Sequence, residues 1–317
     1  MGQPPPPPGR LWSVNGHRLH GQARPAAAAA AAAPTVVFEA ALGGTSLSWH
    51  LVQPAVAELA PTLSYDRAGL GWSEAGPMPR SLPGLVAELQ ALLAATSTSA
   101  PLVLVGHSFG ALIVRHFAAV YPELVAGLVL VDPPALEEWA HPDAAHRERL
   151  ERGVRLARRG ALAARCGVAQ IAAALVHLGA LGPASAIATA ISGGKLRAAR
   201  DFNFTPALRL PDAMKPALRW FWTRPRFYEA LASQMEMLPE AARLVEAAPA
   251  LSALPLAVLS AADTPPLQRR EHEGVAGQSR RGQHHVARAA GHWIPLEEPE
   301  LVIETVRSVL EAAAASY

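Results

Sequence analysis

The stretch Gly106-His107-Ser108-Phe109-Gly110 constrains this chain more than any other. The apolar run Leu102-Val103-Leu104-Val105 precedes it, and Leu112, Ile113, His116, Phe117 and Val120 recur behind it at helical spacing. A strand that runs through G-x-S-x-G into a helix is a nucleophile elbow, in which a strained turn holds the serine Oγ clear of both elements. Ser108 is therefore the candidate nucleophile. Five residues with two free positions also occur as an ordinary Gly-rich turn, so the flanks decide. Here Tyr121-Pro122 closes the helix and Leu128-Val129-Leu130-Val131 supplies the next apolar run. The start of the helix adds free N–H groups and the positive end of its dipole, both suited to a developing oxyanion.

The remaining elements fit the same frame. Leu11-Trp12-Ser13-Val14 and Arg18-Leu19-His20 flank Asn15-Gly16, a type I′ hairpin signal. Thr35-Val36-Val37-Phe38 reads as a third strand. It enters the loop Glu39-Ala40-Ala41-Leu42-Gly43-Gly44, where glycines let backbone N–H groups turn inward. The N–H of Leu42 is the expected second oxyanion donor, paired with that of Phe109 directly after the nucleophile. Trp49 to Leu59 reads as a helix and Thr62-Leu63-Ser64-Tyr65 as a strand. In the turn that follows, Asp66 and Arg67 are expected to hold the loop by hydrogen bonds and a mutual ion pair. Leu82, Leu85, Val86, Leu89, Leu92 and Leu93 mark an amphipathic helix before the elbow strand. Such alternation implies a mostly parallel sheet covered on both faces, an α/β architecture.

At 317 residues, one α/β domain with an inserted subdomain is the natural expectation. Half the residues are hydrophobic and 17% are charged, as in a folded globular chain. The formal net charge of +2 and the scattering of arginines among carboxylates give no support to nucleic-acid binding. The single cysteine, Cys166, cannot form an internal disulfide and is expected to be a free buried thiol. The proline run Met1 to Gly9 and the alanine run Ala26 to Ala33 have no secretory pattern, so a cytoplasmic location is expected. The uncharged stretch from Cys166 to Gly194 is broken by His177, Gln170, Pro183 and several Gly and Ser residues. It suits a buried or membrane-touching cap helix better than a spanning one.

The succession of hairpin, GG-containing loop, YDRAGLGWS, LVLVGHSFGALIVRHFAAVYPE, LVLVD and AGHWIPLEEPELV resembles the α/β-hydrolase superfamily, particularly its esterase-like, lid-bearing branch. The resemblance runs from Leu11 to about residue 310. It implies an eight-stranded sheet, a Ser-His-acid triad, no cofactor and a helical cap after strand six. The expected division is a disordered Pro-rich terminus over 1–10, a hydrolase core over 11–132 and 255–317, and a cap over 133–254. Two departures stand out: Ala40-Ala41 replaces the His-Gly frequent in the oxyanion loop, and Ala111 stands where a glycine often follows the elbow.

His292 lies in Ala289-Ala290-Gly291-His292-Trp293, after the strand-like His285-Val286-Ala287 and before a helix with Val302, Val306, Val309 and Leu310 on one stripe. An imidazole there can take the Ser108 proton and return it to a leaving group. His107 reads as a neighbour, and no metal-ligand spacing occurs. The order Ser, acid, His in the resembled family admits two acids. Asp132 ends strand six and is favoured, whereas Asp263, following Leu256-Ala257-Val258-Leu259, is the alternative.

Between Pro133 and about Leu254 the pattern is helical. Leu150, Val154 and Leu162 lie on the apolar side of an Arg-rich helix over Asp143 to Arg165. The aromatics Trp220, Phe221, Trp222, Phe227 and Tyr228 follow. With Met214, Met235 and Met237 they are expected to form a lid over Ser108 that accepts an apolar acyl or alkyl group of a small-molecule substrate. The expected reaction is ester hydrolysis through an acyl-enzyme. Amide, thioester or C–C cleavage, acyl transfer, and a hydrolase-like binding protein without turnover remain alternatives, and the oligomeric state is left open.

Overall fold

The computed structural model describes residues 5–27, 30, 32–98, 100–177 and 210–315. Strands β1 (Arg10–Val14) and β2 (His17–Arg24) form the expected hairpin. Asn15 and Gly16 both take the positive φ that a two-residue type I′ turn demands, 48° and 86°. Next come β3 (Thr35–Glu39), α1 (Gln53–Val56), β4 (Thr62–Tyr65), α2 (Leu82–Ala95), β5 (Leu102–His107), α3 (Phe109–Val120) and β6 (Val125–Val131). The insertion carries α4 (Leu136–Ala140), α5 (Ala144–Arg165), α6 (Val168–His177), α7 (Lys215–Phe221), α8 (Pro225–Glu236) and α9 (Leu238–Glu246). The chain then returns through β7 (Leu256–Ser260), α10 (Pro266–Ala276), β8 (Gly282–Val286), α11 (Ile294–Glu297) and α12 (Pro299–Ala314).

The eight strands lie in the order β1-β2-β4-β3-β5-β6-β7-β8, antiparallel from β1 to β4 and parallel from there on. β5 is paired on both sides and buried along its whole length, which explains an uninterrupted apolar run instead of an alternating one. On one face Leu85, Leu89, Ile113 and Phe117 close over Leu104; on the other Val302, Val306 and Val309 close over Val103 and Val105. Each such buried side chain contributes about 1.5–3 kcal/mol. The carboxyl ends of β5 and β6 open together at one edge, and there the elbow and Asp132 are found.

Several expectations need correction. The helix expected over Trp49 to Leu59 is a 3₁₀ turn over Ser46–Trp49 followed by the short α1. Pro54 is tolerated only in a first helical turn, so the helix has to restart at that point. The last strand begins at Gly282 and ends at Val286, one residue before the expected end. Helix α5 begins where Asp143 caps it, accepting the His146 N–H at 2.8 Å. Its packed side, however, is Gly153, Val154, Ala157, Gly160, Ala161 and Ala164, while Leu162 is 61% exposed. Small residues win that face because α5 lies close along α8: a Cβ on Gly160 would stand 2.6 Å from the Tyr228 ring. Cys166 is exposed, not buried, at the C-terminal cap of α5.

Within the span expected as cap, α9 packs into the main core through Leu238, Ala241 and Val245. Of the terminus expected to be disordered, 1–4 lie outside the described residues. The Pro5 carbonyl accepts the Trp72 indole N–H at 2.9 Å, and β1 already includes Arg10. The uncharged stretch is helical over Val168–His177 and then passes outside the described residues. Among the described residues no helix is long and apolar enough to cross a membrane.

Candidate active site

Ser108 sits between β5 and α3 with φ 53° and ψ −120°, a backbone conformation that L-residues rarely adopt. Neighbouring backbone holds it there: the Ser108 N–H donates to Val131 O at 2.8 Å, and the Ala111 N–H donates to Ser108 O at 2.9 Å. Both elbow glycines are required by contact. A Cβ on Gly106 would lie 2.7 Å from the Ala111 Cα, and one on Gly110 would lie 2.5 Å from the Glu39 carbonyl oxygen. The turn is thus pressed against the loop that follows β3.

Asp132 leaves β6 with φ 43°, a left-handed conformation that a short polar side chain tolerates better than most. Its Oδ2 is 2.6 Å from His292 Nδ1, while Oδ1 accepts the Ala261 N–H at 3.1 Å and the Thr264 hydroxyl at 3.0 Å. Burial alone would raise the Asp132 carboxyl. The hydrogen bond and charge of His292, with the Ala261 N–H, outweigh burial and hold it below the ordinary value. Asp263 lines the same cavity but is exposed, and its carboxylate makes no hydrogen bond to His292. The structure therefore brings Ser108, His292 and Asp132 to one cavity and leaves Asp263 on its wall.

His107, within the elbow, is fully buried, and its Nε2–H donates to the His292 carbonyl oxygen at 2.7 Å. The two rings lie 4.9 Å apart. Burial, followed by the neighbouring His292, pushes the His107 imidazole down to about 3, so it is neutral and clamps the backbone of the loop that carries His292. In the unfolded chain this group takes a proton near 6.5, whereas in the fold it resists protonation until about pH 3. Its contribution to stability is therefore complete above pH 6.5 and is lost as pH falls through that window, at most about 1.4 kcal/mol per pH unit. His107→Gln keeps an N–H donor without the titration. Its Tm should fall less steeply than that of the wild type between pH 6.5 and pH 4 in thermal melts; equal slopes would refute the assignment.

The loop after β3 is held from beneath. Arg67 is buried, and Nη1 donates to a Glu39 carboxylate oxygen and to Ala40 O at 2.6 Å, while Nη2 donates to Ala41 O at 2.5 Å. Tyr65 donates its hydroxyl to the same Glu39. Burial raises the Glu39 carboxyl, and the Arg67 charge opposes that. Asp66 turns the other way: it meets His20 Nδ1 at 2.9 Å and accepts the Ser46 N–H at 2.7 Å and the Trp72 N–H at 3.0 Å. The expected Asp66–Arg67 ion pair is therefore not made. Successive residues project to opposite sides, and each finds a different partner. Among the described residues no backbone acceptor takes the N–H of Leu42 or of Phe109.

The cavity over Ser108 has a volume of about 540 Å³. Leu42, Leu150, Met235 and Leu238 form its apolar wall, and Glu138, His146, Arg149 and Gln268 form a polar one. Glu138 meets His146 Nε2 at 2.8 Å and Arg149 at 3.1 Å, and Arg149 lies over the Trp139 ring at 5.3 Å. The expected aromatic and methionine lid is corrected here. Of those residues Met235 alone lines the cavity. Trp220, Phe221, Trp222 and Met214 instead pack with Trp72, Leu47 and Trp293, and Met237 enters the main core. The aromatics had apolar partners of their own, which hydrophobic spacing alone does not disclose.

Residues 34–299 match the family model described as alpha/beta hydrolase fold. The chain belongs to the α/β-hydrolase fold family. A putative carbamate hydrolase, RutD, of Klebsiella pneumoniae subsp. pneumoniae is 41% identical over 102 residues, 32% of this chain and 38% of that protein. The chain therefore matches little more than a third of the length of this curated relative. Among solved structures, the haloalkane dehalogenase DbeA from Bradyrhizobium elkani superposes with a TM-score of 0.69 at 18% identity, covering 97% of this chain and 99% of that one. A thermophilic esterase from Thermogutta terrifontis gives a TM-score of 0.65 at 22% identity, covering 96% and 98%. At such identities the likeness is one of fold.

Within this hydrolase family the two departures noted in the sequence have structural counterparts. Ala40 and Ala41 are buried, and their carbonyls are the ones Arg67 binds. Ala111 is fully buried behind the elbow without displacing it. Sequence reading missed Glu39, Gln234 and Thr264 as partners of the site. The signal for Glu39 and Gln234 was present only as polar residues at positions where the pattern called for burial.

Proposed function

We propose that the protein is a serine hydrolase that cleaves a carboxylic ester carrying an apolar group, through a covalent acyl-enzyme. The observation that carries this reading is the 2.6 Å contact between Asp132 and His292 Nδ1 in a cavity that Ser108 also lines. With Nδ1–H bound to the carboxylate, the His292 Nε2 is left as the base. It takes the Ser108 proton as Oγ attacks the ester carbonyl, and Asp132 stabilises the imidazolium that forms. The N–H groups of Phe109 and Leu42 hold the oxyanion. His292 then protonates the leaving alcohol and activates a water that releases the acid.

The apolar wall of Leu42, Leu150, Met235 and Leu238 suits a hydrocarbon acyl or alkyl chain, and the Glu138–His146–Arg149 side suits the polar remainder. Serine at the elbow speaks against chemistry that needs a carboxylate nucleophile at that position, whatever folds are shared. No cofactor is required by this scheme. Hydrolysis of p-nitrophenyl esters of rising acyl length, beside a matched amide and thioester, tests it. Turnover should peak at about four to eight acyl carbons, as a cavity of this size suggests, and the amide should be slowest. Failure on every substrate, together with no labelling by a fluorophosphonate, would sink the reading.

A further inference from the structure

We propose that Arg67 is the positioning residue for the oxyanion site: by gripping the carbonyls of Ala40 and Ala41 it sets the direction of the Leu42 N–H. This rests on the serine-hydrolase reading above. A trans peptide is planar, and its C=O and N–H point in opposite directions. The Ala41 oxygen is held by Arg67 Nη2 at 2.5 Å and by the Gly44 N–H at 2.9 Å. With that oxygen turned down onto the guanidinium, the Leu42 hydrogen of the same peptide has to point to the other side. Leu42 lines the cavity with Ser108 and Phe109, and Arg67 does not.

The guanidinium also packs against the side chain of the residue that carries the second donor. Arg67 Cζ lies 5.5 Å from the centre of the Phe109 ring, so one planar group is packed against the residue that carries one N–H and bonded to the peptide that carries the other. The far end of the loop is fixed separately, by Asp66 Oδ1 on the Ser46 N–H. The cap also takes part: Gln234 Oε1, on α8, accepts from Arg67 Nη2 at 3.2 Å and from the Gly43 N–H at 3.4 Å. The loop thus hangs between the core and a cap helix, with Arg67 as the common node. The two terminal nitrogens carry four N–H groups in one plane and meet four acceptors, the Glu39 carboxylate, Ala40 O, Ala41 O and Gln234 Oε1; a lysine ammonium has three N–H groups on a single nitrogen and cannot serve all four.

Arg67→Lys keeps a charge for the buried Glu39 and removes the fork. Misaiming one of two oxyanion donors should lower kcat by about 10–100-fold per active site, less than the loss of a donor outright. Active sites are counted by fluorophosphonate titration. KM should change by less than about threefold, because the ground-state ester uses the hole weakly. The inhibition constant of an aliphatic trifluoromethyl ketone, which adds to serine and places an oxyanion in the hole, should rise by the same factor as kcat falls. A residue with only a folding role would lower the number of titratable sites and leave kcat per site and the inhibitor constant unchanged. Should the lysine variant not fold, Glu39→Gln/Arg67→Met removes both buried charges together and is judged by the same two ratios. The proposal is overturned if kcat per titrated site stays within about twofold of wild type in the folded variant. A wild type that neither turns over esters nor takes the probe, or a Ser108→Ala variant that keeps both, would instead refute the site reading beneath it, and this proposal with it.

Discussion

Ser108→Ala should lower kcat on the best p-nitrophenyl ester by about 10⁵–10⁶-fold, roughly 7–8 kcal/mol of barrier. It should leave the fold intact. The Ser108 side chain caps no helix N–H, so deleting Oγ breaks no structural hydrogen bond at the start of α3. The backbone strain at φ 53° is carried by the Val131 and Ala111 contacts, which involve main-chain atoms only. Alanine therefore keeps the turn and loses the reacting atom. Intact-mass spectrometry after fluorophosphonate treatment should show one adduct on the wild type and none on the variant. Circular dichroism and Tm should match between the two. Wild-type turnover in the variant would mean that the chemistry resides elsewhere.

What the chain revealed in advance follows from how each feature is encoded. The elbow is a local motif, and its strand and helix announce themselves by a continuous apolar run and by 3.6-residue spacing. The same is true of His292, placed by the strand before it and the apolar stripe of α12 after it. Where packing partners are distant in sequence, reading fails in definite ways. Asp66 and Arg67 are adjacent, which suggests a pair, yet the residues that answer them are His20 and Glu39, drawn in by strand pairing. The Trp220 cluster is hydrophobic enough to line a pocket, but Trp72 and Trp293 already complete it. Leu162 fits the apolar stripe of α5 by spacing, and Gly160 overrides it because Tyr228 requires room. Each failure has one source: periodicity says which side of an element is apolar, and shape complementarity decides what that side meets.

Asp132→Asn should cost about 10⁴-fold in kcat, near 5.5 kcal/mol, with little loss of stability. The asymmetry comes from the two oxygens of this side chain. Asparagine can keep Oδ1 for the Ala261 N–H and the Thr264 hydroxyl, so the links between β6 and the segment after β7 survive. Its amide nitrogen then faces His292 Nδ1 at the present 2.6 Å contact. Two donors cannot meet there, so the imidazole must move its hydrogen to Nε2, which no longer accepts the Ser108 proton. Asp263→Asn makes the matched control. That carboxylate is exposed and unbonded to the base, so it acts on His292 only through a screened charge, and kcat should stay within about threefold. The two variants make the same carboxylate-to-amide change at two residues that line one cavity, and they separate a hydrogen-bonded acid from a nearby one. If Asp263→Asn were the damaging change and Asp132→Asn the silent one, the geometry at His292 Nδ1 would not be that of the working enzyme.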